Sequence, residues 1–263
     1  MARTALKSIY RLIEATTSDM PVEASFLEDL KRSIELQEKQ NERKPSQTYK
    51  PSSMNCVRNM WYQVTGADPD DVIPNYSLIG ICNSGSDIHE RIQKSVASMK
   101  DFGIDCEYID VADYVRSREL TAIEIVSQQG METKLFHKAL NMSFLCDGII
   151  RYNGHYYILE LKTESSYKFI SRKGVDTSHY NQGTAYSVAF GLPEVIFVYI
   201  NRDVFDMKSY LFVPTDDMKN DLVGRITECD RYVVLNELPP IPDDVPKKAC
   251  TYCSYKNRCG GRA

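Results

Sequence analysis

The sequence predicts an α/β chain, α+β in detail, built on a mixed sheet. Residues 142–163, MSFLCDGIIRYNGHYYILELKT, hold two apolar, β-branched and aromatic runs around Asn153-Gly154, the strongest short-range signal for a two-residue hairpin. Residues 194–200, EVIFVYI, read as a buried strand following a helix at about 178–190, the signature of a parallel or mixed portion of a sheet. From Ser84 onward Ile88, Ile92 and Val96 recur every fourth residue, an amphipathic helix for which Ser84 or Ser86 is the expected cap.

The hairpin carries the chemistry. Counting outward from Asn153 and Gly154 sets Asp147 opposite Glu160, and Lys162 shares the face of Glu160 because side chains alternate along a strand. Facing carboxylates repel unless a cation lies between them, and a divalent metal ion would serve. The competing reading is a solvated face on which charges happen to align. Leu145, Ile149, Ile158 and Leu159 argue against it, since they make the strands apolar and HYYILEL a central strand.

The 263 residues, 43% hydrophobic and 26% charged, suit one large domain or a domain with a small appendage. With neither a membrane-length apolar run nor an export signal, the expected protein is cytoplasmic and has no membrane partner. A net charge of −4 disfavours a bulk nucleic-acid binder, so contact with DNA would rest on local basic patches or on a metal. Eight cysteines in such a chain point to metal binding or burial rather than to disulfides. Cys82, Cys106, Cys146 and Cys229, scattered among apolar or mixed neighbours, are expected to be inert buried thiols.

Residues 1–50 read as an N-terminal helical region, with Phe26, Leu27, Leu30 and Ile34 at helical spacing before a polar run. A short helix starts near Cys56. His89 lies beside the apolar stripe of the helix after Ser84, where a lone histidine is more often structural than a ligand. Residues 104–128 mix a short strand with a helix, and residues 131–138 supply a strand that brings Glu132 toward the sheet. Residues 164–179 read as a polar, basic loop with Lys168, Arg172 and Lys173, either an ordinary mobile loop or a phosphate-gripping one. The next helix sets Gln182 and Tyr186 on one face. Residues 208–214 form a strand paired with 194–200, and 215–232 form a helix.

The tail is too short and polar to form its own core. Cys250, Cys253 and Cys259 supply three thiolates, one short of a closed site, and Cys56, in a Cys-x-Arg-x-x-x-Tyr setting, is the chosen fourth. The spacing fits zinc and iron–sulfur equally.

Taken in order, Gly85-x-x-x-His89, Asp147, Glu160-x-Lys162, Gln182-x-x-x-Tyr186 and one early plus three late cysteines resemble the RecB-like branch of the PD-(D/E)xK nuclease superfamily. The likeness is to the CRISPR-associated RecB-type exonucleases and the iron–sulfur AddB/Dna2-type nuclease domains. It spans roughly residues 52–260 and departs at Cys146, where the superfamily often has proline. The resemblance implies a restriction-endonuclease-like core over 51–238, with N-terminal helices before it and a Cys-rich iron–sulfur tail over 239–263.

It further implies Mg²⁺ or Mn²⁺ on His89, Asp147, Glu160 and the carbonyl of Leu161, and a [4Fe–4S] cluster on Cys56, Cys250, Cys253 and Cys259. Lys162 would orient or activate water and stabilise charge on the phosphate, while Gln182 and Tyr186 would touch the strand or support the site. The implied function is a metal-dependent exonuclease acting on DNA ends, with single-stranded ends or overhangs as substrates. Recombination, repair and CRISPR or phage DNA processing are its settings, in a bacterial or phage-encoded protein working beside a helicase or integrase. The alternative is an iron–sulfur DNA-end-binding or adaptation subunit with minor nuclease activity, against which the retained Lys162 counts. A restriction-type endonuclease is a third reading.

Overall fold

The computed structural model describes residues 21–40, 45–70, 74–243, 245, 247–251 and 253–260; the helical expectation for residues 1–20 and the polar run at 41–44 lie outside these. The chain divides into two units, Met1–Arg43 with Asp71–Asn83, and Lys44–Asp70 with Ser84–Ala263. These limits differ from boundaries at 50 and 238, since the Cys-rich tail belongs to the same unit as the sheets.

In the first unit lie α1 (Val22–Gln40), α2 being in the second, and the start of α3 (Tyr76–Ala97). The apolar positions of α1 are not buried, Phe26 being 66% exposed. The Tyr76 N–H donates to Glu35 Oε1 at 3.0 Å, and the Lys31 ammonium lies 5.3 Å from the Tyr76 ring centre. The helix expected to begin at Ser84 or Ser86 begins at Tyr76, because Asn75 Oδ1 accepts the Leu78 N–H at 2.9 Å and caps it there.

The second unit opens with α2 (Val57–Val64) and carries two sheets. Five strands run in the order β1 (Cys106–Ile109), β5 (Gly148–Tyr152), β6 (His155–Glu164), β7 (Val195–Asn201) and β8 (Met207–Phe212). The other sheet holds β2 (Ile123–Gln129), β3 (Glu132–His137) and β4 (Met142–Cys146). Between β1 and β2, α4 (Val111–Ser117) is capped by Asp110, which accepts the Asp113 N–H at 3.0 Å.

The hairpin forms in the expected register, from Tyr152↔His155 to Gly148↔Leu159. Asn153 at φ 48° and Gly154 at φ 81° take the left-handed pair that a two-residue turn requires. The first run, however, is not one strand. β4 leaves the hairpin to pair with β3, the ladder stops at Gly148, and Asp147 is the bend between the sheets. Burial alternates through β4, with Phe144 and Cys146 inside and Leu145 exposed, and then breaks phase. At the bend Gly148 leaves room for the Tyr108 ring, which a Cβ there would meet at 2.6 Å, and burial on both faces follows from Gly148 to Ile150. Leu145 therefore makes no part of an apolar central strand, and Glu132 is exposed in the smaller sheet, away from β6.

β6 is central, antiparallel to β5 and parallel to β7 through α5 (Ser166–Ser171) and α6 (Tyr180–Phe190), and β8 follows β7 as a hairpin. The stretch at 164–179 is thus a helix and a 3-10 turn (Thr177–His179) rather than a loop. One core cluster joins Ile158 and Phe197 to Phe190 of α6 and Leu222 of α7 (Asp216–Leu235). The other joins Leu159, Leu161 and Ile200 to Ile92 of α3.

The tail, with α8 (Lys247–Thr251) and α9 (Lys256–Cys259), is fastened to the early segment. Asp70 Oδ2 accepts the Asn257 N–H at 2.6 Å, Arg58 Nε donates to the Pro239 carbonyl at 2.6 Å, and Tyr62 stacks on Tyr255 at 5.0 Å. No described helix is long and apolar enough to cross a membrane.

Candidate active site

The site forms where the two sheets part. Along β6, Leu159 and Leu161 pack in the cluster beneath α3, so the alternate residues Glu160 and Lys162 present their side chains toward α6. Glu160 is 3% exposed. Its Oε1 accepts from Lys162 Nζ at 2.6 Å and from Gln182 Nε2 at 2.7 Å, while its Oε2 is buried without a partner. Burial pushes the Glu160 carboxyl up to about 7; Asp147 adds to the rise, and Lys162 and His89 oppose it.

Asp147 reaches across the end of the ladder. Its Oδ2 accepts the Leu161 N–H at 2.7 Å, and its Oδ1 stands 3.3 Å from His89 Nδ1. A residue's N–H and C=O point to the same edge of a strand, so the Leu161 carbonyl faces the Asp147 side. One helical turn beyond His89, Gln93 Nε2 donates to the Asp147 carbonyl at 2.6 Å, and Tyr108 Oη donates to that carbonyl at 2.9 Å. The Cys146 thiol donates to the Gly148 carbonyl at 3.3 Å, a local role in the bend.

Gln182 and Tyr186 face the acids from α6. Gln182 Oε1 accepts from Lys162 at 2.9 Å, its Nε2 also donates to Tyr186 Oη at 2.9 Å, and Tyr186 Oη donates to the Leu145 carbonyl at 2.7 Å. Both residues are buried and hold the site from behind. Of the basic residues expected in a phosphate-gripping loop, Arg172 is bound to buried Glu164 at 2.6 and 2.7 Å, and its guanidinium lies 3.8 Å over the Tyr199 ring. Lys168 pairs with Asp176 at 2.8 Å, and Lys173 is exposed. Burial raises Asp176, but Lys168 and Ser178 outweigh it and hold the carboxyl well below the usual range.

Gln93, Tyr108 and His179 were not among the residues singled out in the sequence. Gln93 carries a usable signal, one turn from His89 on the same helix. Tyr108 and His179 become neighbours of the site only through strand order and the turn before α6.

A cavity of about 650 Å³ runs from Lys162, Gln182 and His179 to Cys56, Cys250, Cys253 and Cys259. Cys56 is the N-cap of α2. Burial raises the Cys56 and Cys253 thiols, and the neighbouring thiols raise them further, so the four sulfurs are within electrostatic reach. Cys253 Sγ accepts the Tyr255 N–H at 3.4 Å and Cys259 Sγ faces Arg58 Nη1 at 3.8 Å. The donors suit zinc or an iron–sulfur group in kind. Among the described residues, no three His, Cys, Asp or Glu side chains stand drawn together as a closed metal site. Cys106, Cys146 and Cys229 are buried as expected, whereas Cys82 is exposed.

No protein-family model and no curated protein matches the chain. Among solved structures it is similar to SSO0001, at 16% identity and a TM-score of 0.46, over 90% of this chain and 98% of that one. It is also similar to LHK-Exo in complex with dAMP, at 10% identity and a TM-score of 0.39, over 73% of this chain and 90% of that one.

Proposed function

We propose that this protein is a metal-dependent nuclease of the PD-(D/E)xK type, a RecB-like exonuclease that hydrolyses phosphodiester bonds at DNA ends. The observation that carries the reading is the buried, unpartnered Oε2 of Glu160 beside Asp147, with Lys162 held on the other carboxylate oxygen. A desolvated carboxylate oxygen with no donor is costly unless a cation takes it. Two carboxylates, an imidazole and a backbone carbonyl are hard or borderline ligands suited to Mg²⁺ or Mn²⁺.

Asp147, Glu160, His89 and the Leu161 carbonyl would hold that ion, which when bound supplies a Lewis acid and lowers the pKa of water. The chain's own groups do the rest. Lys162, fixed between Glu160 Oε1 and Gln182 Oε1, is aimed to donate a hydrogen bond to the attacking water or to a scissile-phosphate oxygen, offsetting charge as it develops. Gln182 and Tyr186 form a relay to the Leu145 carbonyl that keeps Lys162 and Glu160 in place. Gln93 and Tyr108 hold the Asp147 backbone, so the carboxylate is aimed before substrate arrives.

The four cysteines are proposed to hold a [4Fe–4S] cluster, zinc being the alternative, that ties α2 to the tail. Tail segments already anchored by Asp70 and Arg58 support this assignment. The proposed setting is DNA processing in recombination, repair or CRISPR and phage systems, beside a helicase or integrase.

The test uses oligonucleotides labelled at either end, single- and double-stranded, with Mg²⁺ or Mn²⁺ and with a circular control. Expected is shortening of linear DNA with circles intact, and loss of activity in Glu160→Ala and Lys162→Ala. Activity surviving both substitutions would remove the site assignment.

A further inference from the structure

Two hydrogen bonds locate a proton on His179, which lines the same cavity as Lys162. Tyr199 Oη accepts the Asp176 N–H at 3.0 Å and stands 2.9 Å from His179 Nδ1. A phenol has one proton to donate, and the Arg172 guanidinium over its ring offers no acceptor. Bond accounting therefore gives the Tyr199 proton to His179 Nδ1, and the neutral imidazole carries its own proton on Nε2. The ring is clamped in one orientation, stacked at 5.8 Å on Tyr199 and at 6.1 Å on Phe197.

His179 lines the cavity together with Lys162 and Gln182. Burial, followed by the Lys162 charge, holds its pKa at about 3, with Lys168 and Arg172 adding to that effect and Asp176 opposing it. It is a fixed neutral donor rather than a third cation. The cavity extends beyond the four cysteines to Lys162, Gln182 and His179, and that end is the one offered to substrate. A clamped donor in the same cavity as an ammonium suits an anionic oxygen, because it adds a directed hydrogen bond without the desolvation cost of another charge.

We propose that His179 grips the substrate strand: hydrogen-bonded through Nδ1 to Tyr199, it donates Nε2–H to a non-bridging oxygen of a phosphate adjoining the one that is cut. This rests on the nuclease reading of Lys162. The competing role is an aromatic filler whose second nitrogen meets only water.

The test measures binding of a short single-stranded oligonucleotide in Ca²⁺ and cleavage in Mn²⁺, for wild type, His179→Gln and His179→Asn. Gln can reproduce the Nε2 donor, whereas the Asn amide reaches only as far as Nδ1. A second series replaces single phosphates by neutral methylphosphonates. Expected is a roughly tenfold loss of affinity in His179→Asn, the scale of a hydrogen bond to a charged acceptor, with most of it recovered in His179→Gln. One methylphosphonate position should weaken wild type by a similar factor and leave His179→Asn unaffected.

Equal binding by Asn and Gln variants, or the same methylphosphonate penalties in wild type and His179→Asn, overturns the proposal. If the Asn variant does not fold, the Gln variant decides, since loss of the position-specific penalty there overturns it and retention supports it. Binding with the expected pattern but no cleavage under any divalent ion would sink the nuclease reading alone. Cleavage without the pattern would sink only the role of His179.

Discussion

Asp147 Oδ2 accepts the backbone N–H of Leu161 at 2.7 Å, so a side chain supplies the hydrogen bond that the next rung of the β5–β6 ladder would have made. The carboxylate thus serves structure and proposed chemistry at once, and two substitutions separate the roles. Asp147→Asn keeps an oxygen for the Leu161 N–H but removes the charge. It is expected to fold with stability within about 1 kcal/mol of wild type while losing roughly a hundredfold or more in cleavage. Asp147→Ala leaves that N–H without its partner and should cost about 1–3 kcal/mol in addition. Denaturant melts and end-labelled DNA assays on the pair measure both.

The place of Asp147 is only partly legible in the sequence. The Asn-Gly turn fixes register by backbone sterics alone, and it held from Tyr152 to Gly148. What a single strand pattern cannot carry is the division of one apolar run between two sheets, in which β4 pairs with β3 and β5 with β6. Gln182 and Tyr186 were legible because i, i+4 spacing is local. The sequence places Arg172 in a polar, basic loop and cannot show its partners, since Glu164 and the Tyr199 ring meet it only through the β6–β7 crossover. The outward face of α1 was invisible for the converse reason: periodicity identifies a stripe but not what covers it.

A divalent ion should stabilise the folded protein through the orphan oxygen of Glu160. Binding to the folded state alone raises stability by roughly 2.7 kcal/mol at a hundred times the dissociation constant. Thermal melts with Mn²⁺ are expected to shift upward in wild type and to stay unmoved in Glu160→Ala and Asp147→Ala. A shift of equal size in the variants would remove these carboxylates as the binding site.

Tyr186→Phe tests the support behind Lys162. The substitution removes the hydroxyl that accepts from Gln182 and donates to the Leu145 carbonyl, leaving two buried partners unmet. A loss of about 1–3 kcal/mol in stability is expected. Because Gln182 also positions Lys162, kcat should fall more than KM rises.

His179 makes stability depend on pH in a defined direction. Its pKa is about 3 in the folded protein against an ordinary value of 6.5, so below pH 6.5 the unfolded chain binds a proton that the folded one does not. Its contribution is complete above pH 6.5 and is lost as pH falls from there toward 3. Chemical denaturation at pH 5 and pH 7.5 should show a smaller gap for His179→Gln than for wild type, by about 2 kcal/mol.

The four cysteines share the wall of one cavity, where burial and then the neighbouring thiols raise Cys56 and Cys253. A metal group bonded to all four would close a loop from Cys56 to Cys250 and should raise stability accordingly. Protein purified without oxygen is expected to be brown, with iron and sulfide in the amounts of a [4Fe–4S] cluster. Cys56→Ser and Cys253→Ser should each lose that colour, whereas Cys229→Ser, at a thiol on the buried face of α7, should keep it. Zinc in place of iron, with the same pattern across the variants, would keep the ligand set and change the metal. Full colour in Cys56→Ser would break the set itself and leave the tail held by Asp70, Arg58 and the Tyr62–Tyr255 stack alone.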